Sequence, residues 1–336
     1  MFLKIYICVF CFAFLNQVAS AKEYIRGCYF SNWAHYRQGI GKYEPEDYIP
    51  GLCTHIFFAF GKLSTDFTVT AFDPEDLPSG ANGGYFARIN ALKLKQPGLK
   101  TLLSIGGWNA GTENFKDLKN VSNEKLVTIA TASDPAKIDA GYDVPEIAKY
   151  VDFVNVMTYD FHGSWEQKTG QNSPLYALEG DSTKFNTADA MKEWKEKGMP
   201  SKKLILGIAT YGRGWILNDP SDSKCGAPGS AAPGKEFTNS AGLAAYYEIC
   251  KMNGNRKWDN SQKVPYIVKD NLWYGYDDVE SVSGKMKWLK ENGFGGAFVW
   301  ALDMDDFNGI CDGGKRYPLL NAINDGLGGK EITVTN

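Results

Sequence analysis

The sequence predicts an α/β fold and, within that class, a (β/α) barrel one strand short of closure. Three observations carry this. Continuous apolar, β-branched runs alternate with amphipathic stretches along the 336 residues, as strands buried on both faces of a parallel sheet do when helices separate them. Hydrophobic residues make up 43% of the chain, enough for one sizeable core. Only seven strand-like runs can be counted, where a closed barrel needs eight. A doubly wound sheet is the runner-up from pattern alone.

Taken in order, Lys4, the apolar run Ile5–Leu15 and the small residues Ala19-Ser20-Ala21 predict a signal peptide over 1–21. The mature protein is therefore expected to be secreted and extracellular. Strands are predicted at Tyr24–Phe30, Thr54–Gly61, Lys100–Gly106, Lys125–Thr131, Val151–Tyr159, Lys203–Thr210 and Phe294–Trp300. Helices are predicted at Gly84–Gln96, Thr187–Lys197, Ala241–Met252, Val282–Glu291 and Pro318–Asp325. The barrel is expected to occupy 22–327, leaving 328–336 as a tail.

Two stretches break the rhythm. Residues 215–278 begin rich in Gly, Pro and Ser and continue into Val264-Pro265-Tyr266-Ile267 and Leu272-Trp273-Tyr274-Gly275-Tyr276, which predicts a small α+β insertion. Between the third and fourth runs, Gly107–Glu124 leaves room for one short crossover helix and no further strand. The flanking strands must then pair directly or expose two edges.

A net charge of −3 with no long run of one sign points away from nucleic acid and membrane surfaces. Three widely spaced His give no metal-site pattern, and no cofactor is implied. The protein is expected to be a monomer. Of seven Cys, Cys8 and Cys11 fall in the signal segment; five remain, so at least one thiol lacks a partner within the chain. Asn120-Val121-Ser122 is a glycosylation acceptor pattern.

Barrel chemistry sits at the carboxyl ends of strands. Those ends carry Asn32 and Trp33, Phe58 to Gly61, Gly107-Trp108-Asn109, Met157-Thr158-Tyr159-Asp160 followed by Trp165 and Glu166, Tyr211-Gly212-Arg213, and Trp300 with Asp303. Aromatic walls with a few polar handles suit carbohydrate, whose rings offer apolar C–H faces and hydroxyl edges. Read singly, each Trp can equally be core packing, and Arg213 can pair with Asp160 or with Glu166.

Cys28-Tyr29-Phe30-Ser31-Asn32-Trp33-Ala34, Leu103-Ser104-Ile105-Gly106-Gly107-Trp108, Met157-Thr158-Tyr159-Asp160-Phe161-His162-Gly163, Tyr211-Gly212-Arg213 and Gly295 to Asp303 together resemble the glycoside hydrolase family 18 chitinases and chitinase-like lectins. The resemblance implies a TIM-type barrel and a partner that is chitin or a chito-oligosaccharide. It implies sugar contacts from Tyr29, Trp33, Phe60, Trp108, Met157, Tyr159, Asp160, Tyr211, Arg213 and Trp300. Trp300 would floor the subsite of cleavage, and Tyr159 would steady the acetamido group. It also implies disulfides Cys28–Cys53 and Cys250–Cys311, leaving Cys225 unpaired.

The departure from that family is equally specific. Its fourth strand carries Asp-x-x-Asp-x-Asp-x-Glu, and no Glu of this sequence has that spacing. The family's acid protonates the leaving oxygen while the substrate's own N-acetyl group attacks, and a general acid contributes about 10²–10⁴-fold. No residue here matches it, so binding without hydrolysis is the leading expectation. The alternatives are an active endochitinase with a substitute acid such as Glu166, and a non-functional splice or gene-model product.

Overall fold

The computed structural model describes residues 23–66, 68–78, 83–107 and 125–329. In chain order the elements are β1 (Ile25–Ser31), β2 (His55–Leu63), β3 (Val69–Ala71), α1 (Gly84–Lys95), β4 (Lys100–Ile105), β5 (Thr128–Thr131), α2 (Pro135–Gly141), α3 (Val144–Tyr150), β6 (Phe153–Val156), α4 (Thr187–Glu196) and β7 (Leu204–Ala209). There follow β8 (Tyr211–Leu217), β9 (Gly229–Ala231), β10 (Leu243–Ala245), α5 (Tyr246–Cys250), β11 (Asn255–Asp259), β12 (Val264–Lys269), β13 (Leu272–Gly275), α6 (Val279–Glu291), β14 (Gly296–Trp300) and α7 (Pro318–Leu327).

Seven parallel strands form one curled sheet in the order β4-β2-β1-β14-β7-β6-β5, and β3 pairs antiparallel with the end of β2. This is an incomplete TIM barrel. Its centre is continuous: Gly27 faces both His55 of β2 and Phe298 of β14 in register, and Phe298 in turn faces Gly207 of β7. Gly27 is required there, because a Cβ on it would lie 2.6 Å from the Phe57 ring. Of the two outcomes open to the flanks of Gly107–Glu124, direct pairing does not occur: among the described residues, β4 pairs only with β2 and β5 only with β6.

Burial follows that topology. β7 is buried at every position, and so is β6. β4 is partly exposed throughout, with Leu103 and Ile105 at 39% and 38% exposure. Helices seal the outside of the intact arc: α4 buries Met191 and Trp194, whose indole N–H donates to the Ala132 carbonyl at 2.9 Å, while α6 buries Val282, Met286 and Leu289.

A second sheet, antiparallel, runs β10-β8-β13-β12-β11 with β9 on β8. It starts at Tyr211, two residues past the end of β7, and so earlier than the composition break near Trp215. The helix predicted at Ala241–Met252 is shorter than expected. Leu243–Ala245 pair with β8 instead, and the Glu248 carboxylate accepts from the N–H groups of Phe237, Thr238 and Ala245, fixing the helix start at Tyr246. Two helices went unpredicted, α2 and α3, each begun by an aspartate cap, Asp134 or Asp143.

Disulfides join Cys28 to Cys53 and Cys250 to Cys311, with Cα atoms 6.1 and 5.9 Å apart. The first staples β1 to the entry of β2, and the second ties α5 to the loop after β14. Cys225 is free and half-buried, and burial pushes its thiol up to about 11. Asn120 lies outside the described residues.

Candidate sugar-binding cleft

At the carboxyl ends of β1, β2 and β14 four aromatic rings come together. Trp300, the last residue of β14, has its ring 5.1 Å from Tyr29, 5.9 Å from Phe60 and 6.2 Å from Trp33. Trp33 and Phe60 stack with centroids 5.9 Å apart. Each ring is placed by its own element: Tyr29 points into the barrel from β1, Phe60 stands on β2 three residues before its end, and Trp33 rides a 3-10 turn, Asn32–Tyr36, directly after β1. Tyr29 is buried, whereas Trp33 is 41% exposed. Asn32 holds the turn by donating to both carboxylate oxygens of Asp76 at 3.0 and 3.1 Å.

The polar side of the cleft is built from the end of β6 and the start of β8. Asp160 adopts φ 58°, a left-handed conformation that turns the chain back on itself after Tyr159. Its carboxylate accepts from the Tyr211 hydroxyl at 2.7 Å and from the Arg213 guanidinium at 2.8 Å. Asn172 braces the same turn: its side-chain oxygen accepts from the Asp160 N–H at 3.0 Å, and its amide donates to the Tyr211 carbonyl at 2.9 Å. Arg213 therefore pairs with Asp160 and not with Glu166. Tyr159 and Tyr211 are buried with rings 6.2 Å apart, and burial raises both phenols well above their ordinary range, so they act as neutral hydrogen-bonding groups.

Of the ten residues expected to line the cleft, nine are described and all nine sit at strand ends on this face or just beyond them. Met157 follows β6, packed against the main core from a half-buried position. Trp108 lies outside the described residues. Trp165 is an omission from that set. Its indole is 60% exposed and lies over Arg213, 5.2 Å from the guanidinium carbon. The ring also packs over Gly163, where a Cβ would collide with it, and the signal for it was the Trp itself, two residues past that glycine.

Glu166, the carboxyl weighed as a substitute acid, is already engaged. It accepts from His162 at 2.9 Å and from the Gly163 N–H at 3.3 Å. Burial works to raise its pKa, but the His162 hydrogen bond and charge outweigh burial and hold it below the usual carboxylate range. A carboxylate kept ionised in this way is not set up to donate a proton near neutral pH.

An aromatic bed with a carboxylate–guanidinium corner, at the carboxyl ends of parallel strands, is the layout of a (β/α)-barrel hydrolase cleft. The family model of glycosyl hydrolases family 18 matches residues 26–127 and 116–305, and the chain belongs to that family. It is 43% identical over 374 residues to a probable endochitinase of Caenorhabditis elegans, which covers 91% of this chain and 61% of that relative. The crystal structure of an immunomodulatory active chitinase from Trichuris suis shares 40% identity and superposes with a TM-score of 0.84, covering 90% of this chain and 99% of that one. Human YKL-39, described as a pseudo-chitinase with retained chitooligosaccharide binding properties, is 33% identical with the same TM-score, covering 91% and 100%. Among the described residues no helix is long and apolar enough to cross a membrane.

Proposed function

We propose that this is a secreted, extracellular lectin of the chitinase family, which binds chitin or N-acetylglucosamine oligomers as a monomer and does not hydrolyse them. The observation that carries the reading is the separation of two parts. The Trp33, Phe60 and Trp300 bed and the Asp160–Tyr211–Arg213 corner are both assembled, while the sequence holds no Asp-x-x-Asp-x-Asp-x-Glu. YKL-39 offers a precedent for binding retained without cleavage in a chain of similar fold. The alignment to the C. elegans relative supports the missing strand. It extends over 374 residues yet engages 91% of 336, an excess of about two strand–helix units at about 30 residues each.

Stacking of a sugar face on an indole is the main apolar contact such a bed offers. Retention of the purified protein on a chitin column, and its elution by chito-oligosaccharide, tests the reading. Trp300→Ala is expected to weaken retention by about tenfold or more, as loss of a central aromatic anchor does. Failure of the wild-type protein to bind at all would overturn the proposal.

A further inference from the structure

Two indoles of the bed, Trp33 on the 3-10 turn after β1 and Trp300 at the end of β14, stand just before the two partners of one buried ion pair. Trp33 lies four residues before Arg37, at the end of the 3-10 turn after β1. Trp300 lies three residues before Asp303, in the 3-10 turn Leu302–Met304 after β14. The Arg37 guanidinium donates to the Asp303 carboxylate at 2.6 Å and approaches its main-chain carbonyl at 3.4 Å. Asp303 is wholly buried and Arg37 nearly so. The second carboxylate oxygen of Asp303 has no hydrogen-bond partner among the described residues, and neither does the Tyr247 hydroxyl, which is close enough to sense the charges of both Arg37 and Asp303. Arg37 is thus the principal charge partner of a buried anion.

We propose that Arg37 and Asp303 are a positioning pair: acting from behind the bed, they fix the Trp33 turn against the Trp300 turn and so set how tightly the cleft holds a sugar ring. The inference rests on the sugar-binding reading above, and it adds a residue pair that touches no sugar. The geometry makes the pair effective because the two β-strands are already fixed in register through Gly27 and Phe298. Beyond the strands, the turn carrying Trp33 is held on one side by Asn32 and Asp76, and the Arg37–Asp303 pair ties it to the turn that follows Trp300. A further link, Asn308 donating to the Ile40 carbonyl at 2.8 Å, lies farther along both loops, so the segments stay connected when the ion pair is removed.

The test is a coupling measurement with chitotetraose, followed by calorimetry and tryptophan fluorescence. Arg37→Ala leaves Asp303 buried without its partner and is a folding risk. The double variant Arg37→Ala/Asp303→Ala removes the pair without that charge, and Arg37→Lys keeps the charge without the fork. The double variant, folded by circular dichroism, is expected to bind about tenfold more weakly, and Arg37→Lys is expected to recover part of the loss. In a Trp33→Ala background the double variant should cost nothing further, because the pair acts through that indole. An equal loss in both backgrounds, or wild-type affinity in the double variant, would overturn the positioning role. Absence of binding by the wild-type protein would instead overturn the sugar-binding reading on which it rests.

Discussion

The two sides of this sheet differ in kind. On the sealed side, β6, β7, β14, β1 and β2 pair in unbroken parallel register and are buried on both faces. On the open side, β4 and β5 each have one described partner, and apolar side chains remain in contact with solvent. A cavity of about 300 Å³, lined by His55, Lys100, Leu126 and Phe153, opens at the foot of that side. The described rings of the aromatic bed, Tyr29, Trp33, Phe60 and Trp300, stand on β1, the turn after it, β2 and β14, all on the sealed side. The resemblance to the family implies that its acid would stand on a strand between β4 and β5. On the proposed reading, holding a sugar would draw chiefly on the sealed arc and cutting it on the other, with Trp108, which follows β4, the one expected sugar contact on the open side.

Substitutions should register that difference. Ile205→Ala on β7 or Val154→Ala on β6 empties a fully buried site and is expected to cost about 2–4 kcal/mol of stability. Leu103→Ala on β4 removes a half-exposed side chain and should cost under about 1 kcal/mol. Equal losses in urea denaturation would mean that the open side is as well packed as the sealed one.

The foot of the open side also predicts a pH effect. His55 is buried beside Phe57 and Phe153, with a ring nitrogen 2.8 Å from the Thr54 hydroxyl. Burial, then the charges of Lys100 and Arg26, depress its pKa to about 4. The unfolded chain thus takes up this proton at higher pH than the folded one. The resulting stability is present above about pH 6.5 and is lost as pH falls toward 4, by at most about 3 kcal/mol. His55→Gln should remove that part of the acid sensitivity. An unchanged pH profile in the variant would show that the imidazole is not held neutral.

The smallest expected effect concerns self-association. Leu103→Lys places a charge on the β4 edge, which discourages edge-to-edge pairing, and should reduce light scattering at high concentration while shifting the melting temperature by no more than a few degrees. A large loss of melting temperature would mean that Leu103 is buried by structure beyond the described residues.

Much of the barrel was legible because its strands are short apolar runs, and seven runs became seven parallel strands. The pairing of the two flanking strands was not legible, since register between distant segments depends on the whole sheet. The helices α2 and α3 were missed although Asp134-Pro135 and Asp143 with Pro145 mark both starts: at seven residues each they carry too few turns for an amphipathic period to emerge. Asp160, Tyr211 and Arg213 were legible as residues, but their mutual bonding was not. The two-way choice for Arg213 was decided by the left-handed turn at Asp160 and by the capture of Glu166 by His162.

The most direct test incubates the purified chain with penta-N-acetylchitopentaose and measures binding and product size on one sample, by calorimetry and mass spectrometry. The account predicts a measurable affinity and an oligomer that keeps its length. Shortened oligomers, formed by the wild-type chain and abolished in Glu166→Gln, would contradict it.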